Sequence, residues 1–284
     1  MTKRLFIFGL GYSGLEIAKL AAARGWSVSG TVTGADKAQR LAAEGIEAHL
    51  FDGTAPLAAR VLEAASHVLC TIAPGTAGDP ALRTSAAQLR DMRWLGYLST
   101  TGVYGDHDGG WVDETTPPRP DQSRSIERLA AERAWQAIGA TIFRLPGIYG
   151  PGRSAVDRVR AGTAQRIDKP GQVFSRVHVE DIAAAVLAAM THPASGAIYN
   201  VVDDLPASNS EVIAYACELL GLPVPPTIPW DEVAPTMSAM ARSFYAENRR
   251  VRNDRLKREL GVTLRYPTYR EGLRAIAAHS SSRA

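Results

Sequence analysis

Cysteine is nearly missing from this sequence. Cys70 and Cys217 are the two among 284 residues, and no CxxC spacing relates them. A disulfide framework is thereby excluded, and both read as reduced core thiols of a cytoplasmic protein. Histidine is sparse as well, with six residues scattered along the chain. They offer no workable ligand spacing, so no metal site is expected. No stretch approaches the roughly 18–20 uninterrupted apolar residues that a membrane span requires. The run Leu5-Phe6-Ile7-Phe8 after Lys3-Arg4 stops at Gly9, and Glu16 and Lys19 follow on a helical pattern. That rejects a signal peptide. Gly-x-Ser-x-Gly is absent, which removes an α/β-hydrolase nucleophile elbow.

Charge of one sign is also in short supply, since 32 Lys and Arg stand against 29 Asp and Glu. The densest basic stretch is Asn248-Arg249-Arg250-Val251-Arg252-Asn253-Asp254-Arg255. Acids at Asp254 and Glu259 interrupt it and no aromatics interleave, so it reads as a solvated helix face rather than a nucleic-acid surface. Neither nucleic acid nor membrane is expected as a partner.

What the chain does have is apolar content, 45% of residues, in a regular alternation. Short apolar runs lie at Leu5–Phe8, Val28–Val32, Ile46–Phe51, His67–Ile72, Trp94–Ser99 and Thr141–Leu145. Helical patterns separate them near Ser13–Arg24, Ala35–Glu44, Ala55–Ala64, Pro80–Asp91 and Ser123–Ile138. This spacing predicts βαβ crossovers, hence an α/β fold with a Rossmann-type doubly wound parallel sheet. The second half is less regular: a strand at Val173–Val177, a helix at Val179–Met190, a strand at Ala197–Val202 and a helix at Asn209–Leu220 closed by Gly221. Pro223, Pro225, Pro226 and Pro229 mark a stiff loop, and Asn253 is placed to cap a helix ending at Gly261. The tail His279–Ala284 is expected to fray. The expected division is a dinucleotide-binding core of residues 1–148 with about 171–204, and a smaller mixed substrate-side cap of about 149–170 and 205–284.

The loop Gly9-Leu10-Gly11-Tyr12-Ser13-Gly14 follows the first strand and opens the first helix. Gly9 permits the tight turn, Gly11 lets a pyrophosphate approach the backbone, and Gly14 lets helix pack on sheet. Free N–H groups of the helix start then face the phosphates. At the end of the second strand, Gly30-Thr31-Val32-Thr33-Gly34 carries no acid until Asp36. An acid there would bind the adenosine ribose of NAD. Thr31 and Thr33 are instead candidate donors to a 2′-phosphate, with Lys37 or Arg40 adding charge, so NADP is favoured over NAD. Lys37 and Arg40 are also compatible with a plain solvated helix face. Asp52-Gly53 after the third strand is a candidate adenine-edge contact, and Ala73-Pro74 after the fourth a candidate border of the cofactor.

Several further segments, taken in order, resemble the extended short-chain dehydrogenase/reductase family of epimerases, dehydratases and reductases. They are Leu98-Ser99-Thr100-Thr101-Gly102-Val103-Tyr104-Gly105, and Val112-Asp113-Glu114-Thr115 with Pro117, Pro118 and Pro120. Arg144-Leu145-Pro146-Gly147-Ile148-Tyr149-Gly150-Pro151 and Val177-His178-Val179-Glu180-Asp181-Ile182 follow, then Ile198-Tyr199-Asn200-Val201 and Leu256-Lys257-Arg258-Glu259-Leu260-Gly261. The likeness covers nearly the whole chain in collinear order. It implies that Thr100 orients a carbonyl, that Pro146 borders the cofactor, and that His178 ties a loop structurally. It also makes a homodimer through helices flanking the sheet plausible.

Two departures stand out. The family's Gly-x-x-Gly-x-x-Gly is the tighter Gly-x-Gly-x-x-Gly here. Aligning the following helix on Ala131-Glu132 puts Arg124 where the family has its catalytic tyrosine and Arg128 where it has its lysine. Arginine stays protonated above pH ~12 and cannot cycle a proton. Arg128 retains the donor needed to hold the nicotinamide ribose, and Arg124 is placed to meet an anionic substrate. An equally open reading makes the two an exposed i,i+4 pair on a charged helix. Among residues on loops after strand ends (Tyr104, Asp106, His107, Tyr149), Tyr104 is nearest Thr100 and is the candidate proton donor, although in relatives that position is mostly structural.

Two functions are therefore expected. One is an NAD(P)-dependent oxidoreductase or epimerase acting on a small carbonyl or nucleotide-sugar-like molecule. The alternative is a dinucleotide-binding sensor or scaffold without turnover.

Overall fold

A computed structural model describes residues 3–192 and 194–281, without the side chains of 279–281. The tail expected to fray, His279–Ala284, therefore lies largely outside the described residues. The first half runs β1 (Arg4–Phe8), α1 (Tyr12–Ala23), β2 (Ser27–Val32), α2 (Ala35–Ala43), β3 (Glu47–Leu50), α3 (Ala59–Glu63) and β4 (His67–Cys70). It continues with α4 (Pro80–Leu89), β5 (Trp94–Thr100), β6 (Trp111–Val112), α5 (Ser123–Ala137) and β7 (Thr141–Leu145). Next come β8 (Gly147–Tyr149), α6 (Ala155–Arg160), β9 (Arg166–Asp168), β10 (Arg176–His178), α7 (Val179–Thr191) and β11 (Ile198–Asn200). The last are α8 (Asn209–Leu220), β12 (Thr227–Pro229), α9 (Trp230–Val233), α10 (Ala239–Ser243), β13 (Arg250–Val251), α11 (Asp254–Leu260) and α12 (Tyr269–Ser281).

Seven strands form one parallel sheet in the order β11-β7-β5-β4-β1-β2-β3. The chain steps outward one way from β1 and the other way from β4, so the topological switch lies between these two. Alternation along β1 explains why helices cover both faces. Leu5 and Ile7 join a core with Ile17 and Ala18 of α1 and Ile182 and Val186 of α7. Phe6 and Phe8 face the opposite core, with Leu62, Leu89, Ala131 and Trp135 from α3, α4 and α5. The sequence-based expectation of a doubly wound Rossmann-type sheet is met.

A smaller group of elements packs on a third core. Tyr149, Val156, Val212, Ile213, Cys217, Tyr269 and Leu273 bring α6, α8 and α12 together. Three short parallel pairs, β8 with β10, β9 with β12 and β6 with β13, complete it.

The structure corrects several local expectations. The third helix is shorter than its pattern, Ala59–Glu63 against the expected Ala55–Ala64. The strand expected at Val173–Val177 begins only at Arg176, and Phe174 makes an isolated bridge to Ala207. The proline-rich loop contains β12, whose Pro229 stands at the strand end, where a missing N–H is tolerated. Asn253 precedes α11 without capping it; its amide donates to Val202 O and Asp204 Oδ1 at 2.7 Å each. Gly221 and Gly261 close α8 and α11 in left-handed conformations, φ +63° and +62°. No helix among the described residues is long and apolar enough to cross a membrane, and no three His, Cys, Asp or Glu side chains there are grouped to hold a metal.

Candidate functional site

The glycine loop sits at the carboxyl end of β1, at the topological switch, where ligands bind in open α/β sheets. Gly9 holds φ +94°, a conformation L-residues rarely adopt, and a Cβ there would lie 2.7 Å from Thr71 Oγ1. A Cβ on Gly14 would lie 2.2 Å from Gly9 O, so this glycine is what lets α1 approach the turn. Gly11 differs: no protein atom lies within 4 Å of a Cβ built there. It is the N-cap of α1 and no side chain caps it. Open space in front of an uncapped helix start fits an anionic phosphate group.

Beside the loop is a cavity of about 250 Å³, lined by Gly9, Gly11, Thr33, Lys37, Asp52 and Gly53 among others. Of these, the sequence suggests Thr33 and Lys37 for a 2′-phosphate, Asp52 and Gly53 for an adenine edge, and Gly9 and Gly11 for the turn and the pyrophosphate. Thr31 also lines it, but the structure gives its hydroxyl another task. Thr31 is 1% exposed, and Oγ1 accepts the Gly9 N–H at 2.8 Å. It holds the glycine turn, while exposed Thr33 is the hydroxyl left facing the opening. Asp52 Oδ1 accepts both the N–H and the hydroxyl of Thr54, and these bonds hold its carboxyl below the usual range. Ala73 and Pro74 follow β4 and line neither cavity described here.

At the end of β5, Thr100 is in register with Leu145 of β7. Its Oγ1 accepts the Gly102 N–H at 3.1 Å, which leaves the hydroxyl proton free for a ligand. Arg128 of α5 reaches the same strand end, where Nη1 donates to Leu98 O at 2.9 Å and to the Tyr97 hydroxyl at 3.3 Å. Ser13 opens α1 directly after Tyr12, and Pro146 joins β7 to β8. Arg124 is exposed, with its guanidinium 4.3 Å from the centre of the Phe244 ring.

Tyr104, the candidate proton donor, points into the protein. It is 0% exposed, and its hydroxyl donates to Asn200 Oδ1 at 2.8 Å. Burial raises its pKa, and Arg144 lies over its ring. The arrangement belongs to a buried network that sequence reasoning missed. Arg144 grips Glu132 through Nε and Nη2 at 3.2 and 2.6 Å, Ser99 donates to the same carboxylate, and Glu114 accepts the Asn200 N–H. Every member stands in a segment already singled out, yet the partners are up to 96 residues apart, so no local spacing announced the contacts. His178 behaves as the resemblance implies: it caps α7, packs between Tyr149 and Tyr266, and burial lowers its pKa to about 4. The arginines once weighed as a basic surface are internally engaged. Arg249 bonds Gly105 O and Glu247, Arg250 bonds Gly109 O, and Arg255 bonds Glu259.

A second, larger cavity of about 500 Å³ begins at Gly147, two residues beyond Leu145. The glycine loop touches its rim. The Tyr12 hydroxyl donates to Pro151 O at 3.1 Å, and Arg153, which lines the cavity, lies over the Tyr12 ring.

Residues 34–202 match the model of the NAD dependent epimerase/dehydratase family. Protein YeeZ of Escherichia coli K12 is 29% identical over 242 residues, covering 78% of this chain and 86% of that protein. A 3-diazoavenalumate denitrifying reductase of a Streptomyces species is 29% identical over 170 residues, 57% of this chain and 55% of the reductase. Among solved structures, a functionally unknown conserved protein from Silicibacter pomeroyi superposes with a TM-score of 0.90 at 48% identity, covering 98% of this chain and 99% of the other.

Proposed function

Given that the chain belongs to the NAD dependent epimerase/dehydratase family, we propose that it is an oxidoreductase that binds a nicotinamide dinucleotide on the glycine loop and acts on a small carbonyl compound. One observation carries this reading. Tyr12 of the glycine loop bonds Pro151, and Gly152 and Arg153 beside it line the larger cavity. The contacts of Tyr12 with Pro151 and Arg153 thus link the glycine loop to the rim of a substrate-sized space, and Thr100 stands at the end of β5 in register with Leu145, two residues before Gly147 of that space. Residues 1–148 and about 171–204 form the dinucleotide-binding unit in this reading, and the remainder the substrate side.

When bound, the nicotinamide gives or accepts a hydride. The chain's own residues position and polarise. In this reading the Thr100 hydroxyl proton is donated to a carbonyl oxygen, and Nε and Nη2 of Arg128, which make no hydrogen bond with any described residue, hold the ribose. The position aligned with the family's tyrosine holds Arg124, and a guanidinium is not a proton-cycling group. The proton of the reaction therefore exchanges with water in the cavity. NADP is preferred over NAD, a preference supported by Thr33 and Lys37 in the adenosine-side cavity and by the lack of an acid at the end of β2. The test is NADPH oxidation against a panel of carbonyl compounds. Thr100→Val is expected to slow turnover by about a hundredfold with NADPH affinity retained. Unchanged turnover removes Thr100 from the site.

A dinucleotide sensor without turnover is the second reading. It is favoured by the replacement of the usual Tyr-x-x-x-Lys pair and by the packing of Arg124 on Phe244. Tight dinucleotide binding with no hydride exchange across the panel supports it.

A further inference from the structure

We propose that the larger cavity selects an amphipathic organic anion, with a carboxylate or phosphate head on Arg158 and an aromatic or aliphatic body, rather than a sugar nucleotide. The inference rests on the reading of this face as the substrate side and narrows the substrate class.

The side chain of Arg158 lines the cavity from α6 at its solvent-exposed edge, and its guanidinium makes no hydrogen bond or ion pair with any described residue. Its neighbours on the same helix are committed. Arg160 donates to Ala277 O, and Asp157, the one carboxylate of the lining, accepts the N–H and hydroxyl of Ser154 through Oδ2. Two other guanidiniums share the cavity: Arg153 lies over the Tyr12 ring, and the donors of Arg176 go to the carbonyls of Phe174, Ala207 and Ser208. Arg176 therefore acts as a fixed positive charge. Loss of solvation lowers the pKa of Arg158 and of Arg176, and the charge of Arg158 adds to the effect on Arg176. Asp203 faces Arg176, yet burial raises its carboxyl, so it offsets that charge only in part. Three guanidiniums against one lining carboxylate, Asp157, whose Oδ2 is taken up by Ser154, make an anion site, and Arg158 is the one of the three that neither lies over a ring nor is spent on backbone carbonyls.

The walls decide what the anion carries. Ile148, Val212, Leu273 and the rings of Tyr149 and Tyr269 line the space. The Tyr149 hydroxyl donates to Thr268 O and so faces away from a ligand's needs. Among the described residues of the lining no Asn or Gln offers a side-chain amide; besides the charged groups and Tyr149, the polar side chains are Ser154, which is bonded to Asp157, Thr163, which is bonded to Arg158 O, and the Tyr269 hydroxyl. A sugar presents several hydroxyls, each of which loses free energy when buried without a partner. An aromatic or aliphatic body meets these walls without that loss.

The experiment is a calorimetric titration of the full chain with four probes: 3-phenylpropionate, phenyl phosphate, the neutral 3-phenylpropanol and UDP-glucose. It is repeated in Arg158→Ala and Arg158→Lys, with an NADPH titration of each protein as a parallel arm. The expected result is binding of one or both aromatic anions at least about tenfold tighter than the alcohol. Arg158→Ala abolishes that preference, Arg158→Lys restores part of it, and neither changes NADPH affinity. The carboxylate and phosphate arms distinguish the two heads. Anion binding that is equal in wild type and Arg158→Ala overturns the proposal, as does UDP-glucose binding tighter than both anions. Failure of NADPH to bind any of the proteins, with the anion preference intact, overturns the cofactor reading alone.

Discussion

The hydroxyl of Tyr104 donates a 2.8 Å hydrogen bond to Asn200 Oδ1, joining two residues 96 positions apart beneath the strand ends. Arg144 covers the ring, and no part of Tyr104 reaches solvent. Tyr104→Phe leaves the Asn200 oxygen short of a donor, so it is expected to lower the unfolding free energy by about 1–3 kcal/mol. Urea denaturation measures this. Turnover that collapses at unchanged stability would return Tyr104 to the catalytic apparatus.

The same network contains the Glu132–Arg144 ion pair, whose side chains are 2% and 3% exposed. Removing one partner strands a buried charge, and Glu132→Gln or Arg144→Met is expected to cost about 3–5 kcal/mol. The double variant Glu132→Leu with Arg144→Met is expected to cost less than the two single changes together. Additive losses in denaturation would show that the pair is not coupled.

His178 gives a pH dependence of known sign. Burial, reinforced by the positive charge of Arg265, lowers its pKa from 6.5 to about 4. Between those values the unfolded chain binds a proton that the folded chain refuses, so stability falls as pH drops through that window and is fully present above it. His67, lowered to about 4 by burial, acts in the same direction. His178→Asn retains a side-chain acceptor for the start of α7 and removes the titration. The variant is expected to lose stability less steeply than wild type from pH 6.5 to 4. Parallel curves would contradict the assignment.

The sheet and the glycine loop were legible in the sequence because they depend on local patterns. Alternating apolar runs placed β1 to β5 and β7 to within a few residues, and Gly9, Gly11 and Gly14 carry their roles in their spacing. The hydrogen-bond partners of Thr31 and Tyr104 were not legible because a hydroxyl next to a glycine turn or a strand end looks the same in sequence whether it faces outward or is bonded within the protein. Only the fold brings Gly9 N onto Thr31 and Asn200 onto Tyr104. Arg158 carried no signal at all. Its meaning comes from α8 and α12, which reach it from residues beyond position 200.

The proposed preference for NADP rests on Lys37 and Thr33, which line the cavity beside the glycine loop. Lys37→Ala is expected to weaken NADPH binding several-fold and leave NADH binding unchanged, with the NADPH effect shrinking at high salt. Equal losses for both nucleotides would mean that Lys37 supports the cavity without reading the 2′-phosphate.

The most direct test is titration of the protein with NADPH and NADH, followed by nicotinamide fluorescence, in wild type and Gly11→Val. A Cβ at Gly11 meets no protein atom within 4 Å, so the variant is expected to fold as wild type does. Its side chain fills the space where a pyrophosphate would lie. The account expects wild type to bind NADPH more tightly than NADH, and Gly11→Val to lose at least about tenfold in both at unchanged thermal stability. Folded wild-type protein that binds neither nucleotide would contradict it.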